Sequence, residues 1–294
     1  MAPFQPRNPD APVCCTCGTQ YPSNTSPSFT TLSSLLSSDS HYHNVFTPLS
    51  HDPEHFISIH TEPKVAIGQR AILVRTPAGN VLWDCITYLD DETVEKIKGY
   101  GDLVGIVISH PHYYSTHVEW ANAFECPVYL AAEDKKWIAV PLGEHQSFLD
   151  QTVTSISGKN GQDIGVKALK LGGHFPGSLV LLYDGRLLLA DTLMTTPAGM
   201  GKWNVDAKGN TRNKPPGLNS FSFMWSIPNM IPLNTEEIVH MWDVLKNYDF
   251  RSSHGAFTGQ DIEDEGVKGR VLESMQIQIR HMGYPQHALL KETI

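Results

Sequence analysis

The chain is predicted to be α/β, and three observations carry that reading. Short apolar runs rich in β-branched residues alternate with amphipathic segments that begin on helix-capping residues. The runs are bounded by Gly, Pro, Asn and Asp at turn positions. Several of the later runs end on His or Asp, so the strand–helix alternation also delivers metal-ligand side chains to strand ends.

The bounds agree with a globular protein. At 294 residues and 40% hydrophobic content, the chain has enough apolar surface for a large core. A formal net charge of −9, with no Lys/Arg cluster, argues against nucleic acid or an anionic membrane as the main partner. No run approaches the ~18 apolar residues of a membrane span. Met1 to Val13 is Pro-rich and polar, without the apolar core of a secretory leader. The reading is a soluble, cytoplasmic protein acting on a small-molecule substrate, and a homo-oligomer is compatible with it. Five cysteines do not make a disulfide framework in a chain this large. Cys14-Cys15-Thr16-Cys17 contains half of a zinc ribbon, but no second C-x-x-C follows to complete four ligands, so a reduced thiol cluster is the simpler reading. Cys85 and Cys126, in strand-like runs, read as buried small hydrophobes.

Residues 1–52, rich in Ser, Thr, Pro and Asn, read as an extended arm with one short helix around Thr31 to Leu36. Residues 53–294 read as a single domain, with ordered structure beginning near Phe56. Ala71–Arg75 and Val81–Cys85 flank the turn Thr76-Pro77-Ala78-Gly79-Asn80 as a hairpin. Asp91–Gly101 reads as a helix with acidic residues in its first turn and a glycine stop. Leu103–Ile108 is a buried strand that runs into Ser109-His110-Pro111-His112. Thr116-His117-Val118-Glu119 has the capping-box pattern and opens a helix to about Phe124. Pro127–Ala131, Val166–Leu171, Leu179–Tyr183 and Arg186–Ala190 follow as strands, the last two joined by an Asp184-Gly185 hairpin turn. Thr195 to about Asn219 is Gly-, Pro- and Asn-rich and reads as a long loop over the site. Asn234-Thr235-Glu236-Glu237 opens a helix to Tyr248, Phe250–His254 is a short strand, and Asp264–Met282 is a final helix.

Two histidines one residue apart at a strand end can turn both imidazoles toward one point, and imidazole is a good zinc ligand. The pair alone is weak: His41-Tyr42-His43 has the same spacing in the arm, where loop histidines are usually solvated. The case rests on the joint pattern of His110, His112, His174, Asp191 and His254, four imidazoles and one carboxylate on strand-to-loop edges.

In this order, His110-Pro111-His112, then Gly173-His174-Phe175-Pro176-Gly177-Ser178, then Asp191, then His254, the chain resembles the metallo-β-lactamase superfamily over residues 56 to 282. The resemblance implies a four-layer αβ/βα sandwich of two mixed sheets with helices on the outer faces, and a metal site at one edge. It implies His110, His112 and His174 as a first metal subsite. The superfamily's Asp-His after the first pair is replaced here by Tyr114-Ser115, which leaves a second subsite only Asp191 and His254. The expectation is therefore one tightly bound zinc, with Asp191 as fourth ligand and His254 completing the shell, binding a weak second ion or touching substrate. His117, just inside a helix start, is a lesser candidate to replace a missing ligand. Cys15 to Pro22, Val118-Glu119-Trp120-Ala121 and Phe223 to Pro232 extend the resemblance to lactamase-like hydrolases of microbes and fungi.

The implied activity is hydrolysis of a small cyclic amide or ester, of γ-lactam or lactone type, by a zinc-activated water. Asp191 would orient the nucleophile or carry its proton. Tyr114, a phenol with pKa ~10, is no carboxylate base but is a candidate hydrogen-bond donor to the oxyanion. Tyr113 and Trp203 are candidates for the apolar walls of the substrate site, or for plain packing. The alternatives are a thioester hydrolase of the glyoxalase II kind and a non-catalytic binding member of the fold. A phosphodiesterase is disfavoured by the charge and by the incomplete second subsite.

Overall fold

The structure, a computed structural model, describes residues 4–23, 28–37, 39, 41–140, 143–201, 205–213 and 218–294. Two mixed sheets organise it. The first has seven strands in chain order: His43–Pro48, Phe56–Glu62, Ala71–Val74, Asn80–Trp83, Leu103–Val107, Val128–Ala131 and Gln146–Leu149. The second has six: Val153–Ser157, Asp163–Lys170, Leu179–Tyr183, Arg186–Leu188, Ser252–His254 and Asp261–Glu263.

Strand direction follows the connections. Antiparallel neighbours can be joined by short turns, whereas parallel ones need a crossover. The helices Asp91–Gly99 and His117–Phe124 provide the crossovers on either side of Leu103–Val107, which is parallel to both its neighbours. Thr235–Leu245 does the same between Arg186–Leu188 and Ser252–His254.

The layering can be read from the two-residue period of strand side chains. Leu179, Leu181, Leu188 and Ala190 belong to a core that is continuous with the strands of the first sheet and, beyond them, with Val94, Ile97 and Trp120 of its helices. The alternate residues Val180, Leu182, Leu187 and Leu189 face a second core, completed by Met241 and Trp242 of one helix and Val271 and Met275 of Val267–His281. A strand apolar on both faces needs a layer on each, and the result is the predicted αβ/βα sandwich.

Most expected elements form within a residue or two of their predicted ends. The Asp184-Gly185 turn has φ of 44° and 71°, as a two-residue hairpin of this hand requires. Asn234 caps its helix by accepting from the Glu237 N–H at 2.9 Å.

Two expectations are corrected. Thr116 does not form a capping box: its buried hydroxyl donates to the Thr87 carbonyl at 2.9 Å. Glu119 instead accepts the main-chain N–H groups of Arg7 and Asn8, at 2.7 and 2.9 Å, and so fastens the chain's beginning to this helix. The stretch 1–52 is likewise not simply an extended arm. His43–Pro48 is the edge strand of the first sheet, and Val13 and Leu32 are fully buried. Its apolar residues occur singly among Ser, Pro and His, which hid the strand from a periodicity reading. Among the described residues, no helix is long and apolar enough to cross a membrane.

Candidate metal centre

Leu103–Val107 lies between two parallel partners, so the chain leaves it at the edge where neighbouring strands also end, the usual place for ligands in such sheets. His110 follows in extended conformation, and Pro111 starts a 3-10 turn through Tyr113 that brings His112 round to the same side. His174 arrives through Gly172 and Gly173, both with positive φ. A Cβ on Gly173 would come within 2.6 Å of Thr192 Oγ1 and 2.7 Å of Leu233 Cδ1, so the approach demands glycine. Asp191 comes from just beyond Arg186–Leu188 in the other sheet.

These four residues converge. His110 Nε2, His112 Nδ1 and His174 Nε2 lie 3.5, 3.9 and 3.8 Å from Asp191 Oδ2. His174 Nε2 and His112 Nδ1 are 3.3 Å apart, and all four donor atoms lie within 4.8 Å of one another. Four donors held tetrahedrally at zinc-like bond lengths sit roughly 3.3–3.6 Å apart, so the cluster needs little contraction to hold an ion.

The outer hydrogen bonds set which atoms face inward. His110 Nδ1 pairs with Ser109 Oγ at 2.9 Å, and His174 Nδ1 with the Met224 carbonyl at 3.2 Å. A carbonyl only accepts, so His174 carries its proton on Nδ1 and turns a lone pair inward from Nε2. His110 Nε2 is buried without a hydrogen-bond partner. Burial pushes the His110 imidazole below its ordinary pKa. Burial and the neighbouring imidazoles push His174 down to about 4, which keeps it in the neutral, ligating form. Burial alone would raise the Asp191 carboxyl, but His110, His112 and His174 outweigh it and hold the group well below the usual carboxylate range. Ligand atoms that converge around a buried, unpartnered nitrogen, with the His174 lone pair already turned inward, are what a cation site requires.

The other predicted site residues are placed differently. Tyr113 is fully buried and donates its hydroxyl to Asp191 Oδ1 at 3.0 Å, so it orients the carboxylate and is no wall of an open site. Tyr114 is buried too, its hydroxyl 3.5 Å from the Asp134 carbonyl. His254 does not join the cluster. Its Nδ1 meets Asp261 Oδ1 at 2.9 Å and its Nε2 meets Ser252 Oγ at 3.0 Å, while Arg70 clamps the same Asp261. A strand-end histidine with both nitrogens engaged has no lone pair to offer. His117 is closed in a similar way, donating from Nδ1 to the Tyr114 carbonyl at 2.8 Å with Nε2 beside the Gln146 amide at 3.2 Å. Burial lowers its pKa to about 4. Trp203 lies outside the described residues.

Sequence reasoning missed Asp84. It follows the strand Asn80–Trp83 with φ of 58°, is fully buried, and accepts the Ser109 N–H on Oδ1 at 2.7 Å. Burial, with the Asp191 charge adding to it, pushes its carboxyl up to about 8. It fixes the backbone from which His110 projects. The sequence offers only an acidic residue near the end of the strand-like run Val81–Cys85, with no motif to mark it.

The chain is 33% identical over 283 residues to YmaE, an uncharacterised protein of Bacillus subtilis (strain 168), with 87% of this chain and 92% of that one covered. No protein-family model matches it. Among solved structures it is similar to VMB-1 (TM-score 0.54, 11% identity, 82% of this chain and 99% of that one). It is also similar to the DIM-1 metallo-beta-lactamase (TM-score 0.53, 10% identity, 80% and 98%) and to a metallo-beta-lactamase from Pontibacter korlensis (TM-score 0.52, 14% identity, 80% and 99%). At such identities the likeness is one of fold.

Proposed function

Because this chain belongs to the same family as YmaE and has the metallo-β-lactamase fold, we propose that it is a metal-dependent hydrolase of a small cyclic amide or ester, γ-lactam or lactone in type. The observation that carries the reading is the convergence of four donor atoms around the buried, unpartnered Nε2 of His110.

His110, His112, His174 and Asp191 would hold one ion, zinc being the metal best matched to three imidazoles and a carboxylate at tetrahedral spacing. When bound, such an ion supplies Lewis acidity, polarising a carbonyl and making a coordinated water acidic near neutral pH. The residues do the rest. His112, with its side chain 47% exposed, marks the open side of the cluster, while His110 and His174 close the protein side. Asp191 has Oδ1 held by the Tyr113 hydroxyl and Oδ2 turned to the imidazoles, an arrangement that suits orientation of a nucleophile. Tyr114 is not placed to donate to an oxyanion, since its hydroxyl and ring pack on Asp134 and His117.

The test is turnover of a panel of γ-lactams, lactones and acyl thioesters by zinc-loaded protein, with and without a chelator and with His112→Ala. Ring opening that is lost in both controls is expected. Hydrolysis of thioesters alone would move the reading to the glyoxalase II kind, and no turnover by fully loaded protein would leave a binding member of the fold.

A further inference from the structure

A cavity of about 370 Å³ opens directly beside the cluster, with His112 and His174 in its lining. We propose that this cavity recognises a flat aromatic group bearing an anionic substituent, so that the substrate is an anionic aryl or heteroaryl amide or ester. The inference rests on the hydrolase reading of the same site and supplies its substrate class.

Two tryptophans on unrelated elements carry the argument. Trp137 ends the 3-10 segment Ala132–Trp137, and Trp225 lies in the strand Met224–Ser226 of a small hairpin with Ile231–Pro232. They are 52% and 56% exposed, yet both line this one cavity. Large aromatic side chains left half in water and converging on one concave site mark a ligand surface more often than incomplete packing.

The aromatic surface reaches the metal ligands. The Phe175 ring meets Trp137 edge-on, with centroids 5.6 Å apart, and meets His112 edge-on at 5.0 Å. A planar group that stacks on one of these two perpendicular rings and meets the other edge-on ends beside His112, where an attached carbonyl would face the cluster. Trp225 acts from the opposite element, and the residue before it, Met224, accepts the Nδ1–H of His174. The hairpin that bounds the cavity thus also orients a ligand histidine.

Lys136 supplies the charge preference. It lines the cavity with its ammonium 5.6 Å from the centre of the Trp137 ring, and among the described residues it forms no ion pair. A cation beside an aromatic face, in a lining that is otherwise largely apolar, favours a flat ligand with a negative group at its rim. The volume suits one or two fused rings with a short substituent.

The test reads binding without turnover, by calorimetric titration of the zinc-loaded protein with naphthalenesulfonate, neutral naphthylmethanol and hexanesulfonate. Sulfonates are weak zinc ligands, so the cavity dominates the signal. Naphthalenesulfonate is expected to bind at least about tenfold tighter than hexanesulfonate, and Trp137→Ala or Trp225→Ala to weaken it by about 5–10-fold, the scale of one lost aromatic contact. Lys136→Gln should weaken naphthalenesulfonate several-fold and leave naphthylmethanol unchanged. Zinc content and the circular dichroism spectrum, read on each variant, should match the unsubstituted protein, since these side chains are at the surface. Equal affinity for hexanesulfonate, or no response to either Trp substitution, would overturn the inference while leaving the hydrolase reading intact. Failure of the unsubstituted protein to retain zinc would overturn the hydrolase reading instead.

Discussion

His174 and His254 both come at strand-to-loop edges of the second sheet, and their environments make them opposites. His174 has one nitrogen on the Met224 carbonyl and turns the other toward His110, His112 and Asp191. His254 has Nδ1 on Asp261, Nε2 on Ser252 and its ring stacked near Phe56, with Arg70 closing the network behind Asp261. The first region is a convergence of four ligand atoms that one cation would bridge. The second is a satisfied polar network in which Arg70 already provides the positive charge. Residue type and strand-end position are the same in both, so ligand capacity is decided by what holds the second nitrogen.

The comparison can be broken most forcefully from the cluster side. His110→Ala removes the buried donor and is expected to lower zinc affinity by more than the roughly 10–100-fold that loss of an outer-shell partner costs, as read by competition with a chromophoric chelator. His117 sharpens the point that a buried histidine is not thereby a ligand. Its folded pKa is lowered to about 4 by burial, so the unfolded chain binds the extra proton first as pH falls. Stability from this group is thus present above about pH 6.5 and lost toward about pH 4, by at most about 3 kcal/mol. The urea midpoint of the unsubstituted protein should fall more steeply over that window than the midpoint of His117→Gln, and parallel slopes would contradict the assignment.

On the network side, His254→Ala leaves Asp261 with Arg70 alone and is expected to destabilise the fold by about 2–3 kcal/mol in urea titration, without changing zinc content. The smallest effect is expected for Tyr113→Phe, which frees Asp191 Oδ1 while keeping the ring in place. About tenfold weaker zinc binding, with little change in stability, would fit its role in orienting the carboxylate.

Much of this was legible in the sequence because local pattern and global fold agree. The continuous apolar runs Leu179 to Tyr183 and Arg186 to Ala190 mark strands, and the order His110-Pro111-His112, Gly173-His174-Phe175-Pro176-Gly177-Ser178, Asp191 marks the ligand residues. What stayed hidden depends on partners distant in sequence. The hydrogen bonds that occupy His254 come partly from Asp261, whose role requires Arg70 from the other sheet. Asp84 carries no motif and matters because its strand lies parallel to the one before His110. Trp137 and Trp225 meet at one cavity only through the fold, whereas Tyr113, beside the histidine pair and so the more obvious candidate, is buried against Asp191.

The most direct test of the account is zinc content per chain in the unsubstituted protein, His112→Ala and His254→Ala, measured after the same saturation and desalting. The account predicts about one equivalent in the unsubstituted protein and in His254→Ala, and almost none in His112→Ala. Two equivalents in the unsubstituted protein, falling to one in His254→Ala, would contradict it by showing that His254 leaves its network to hold a second ion.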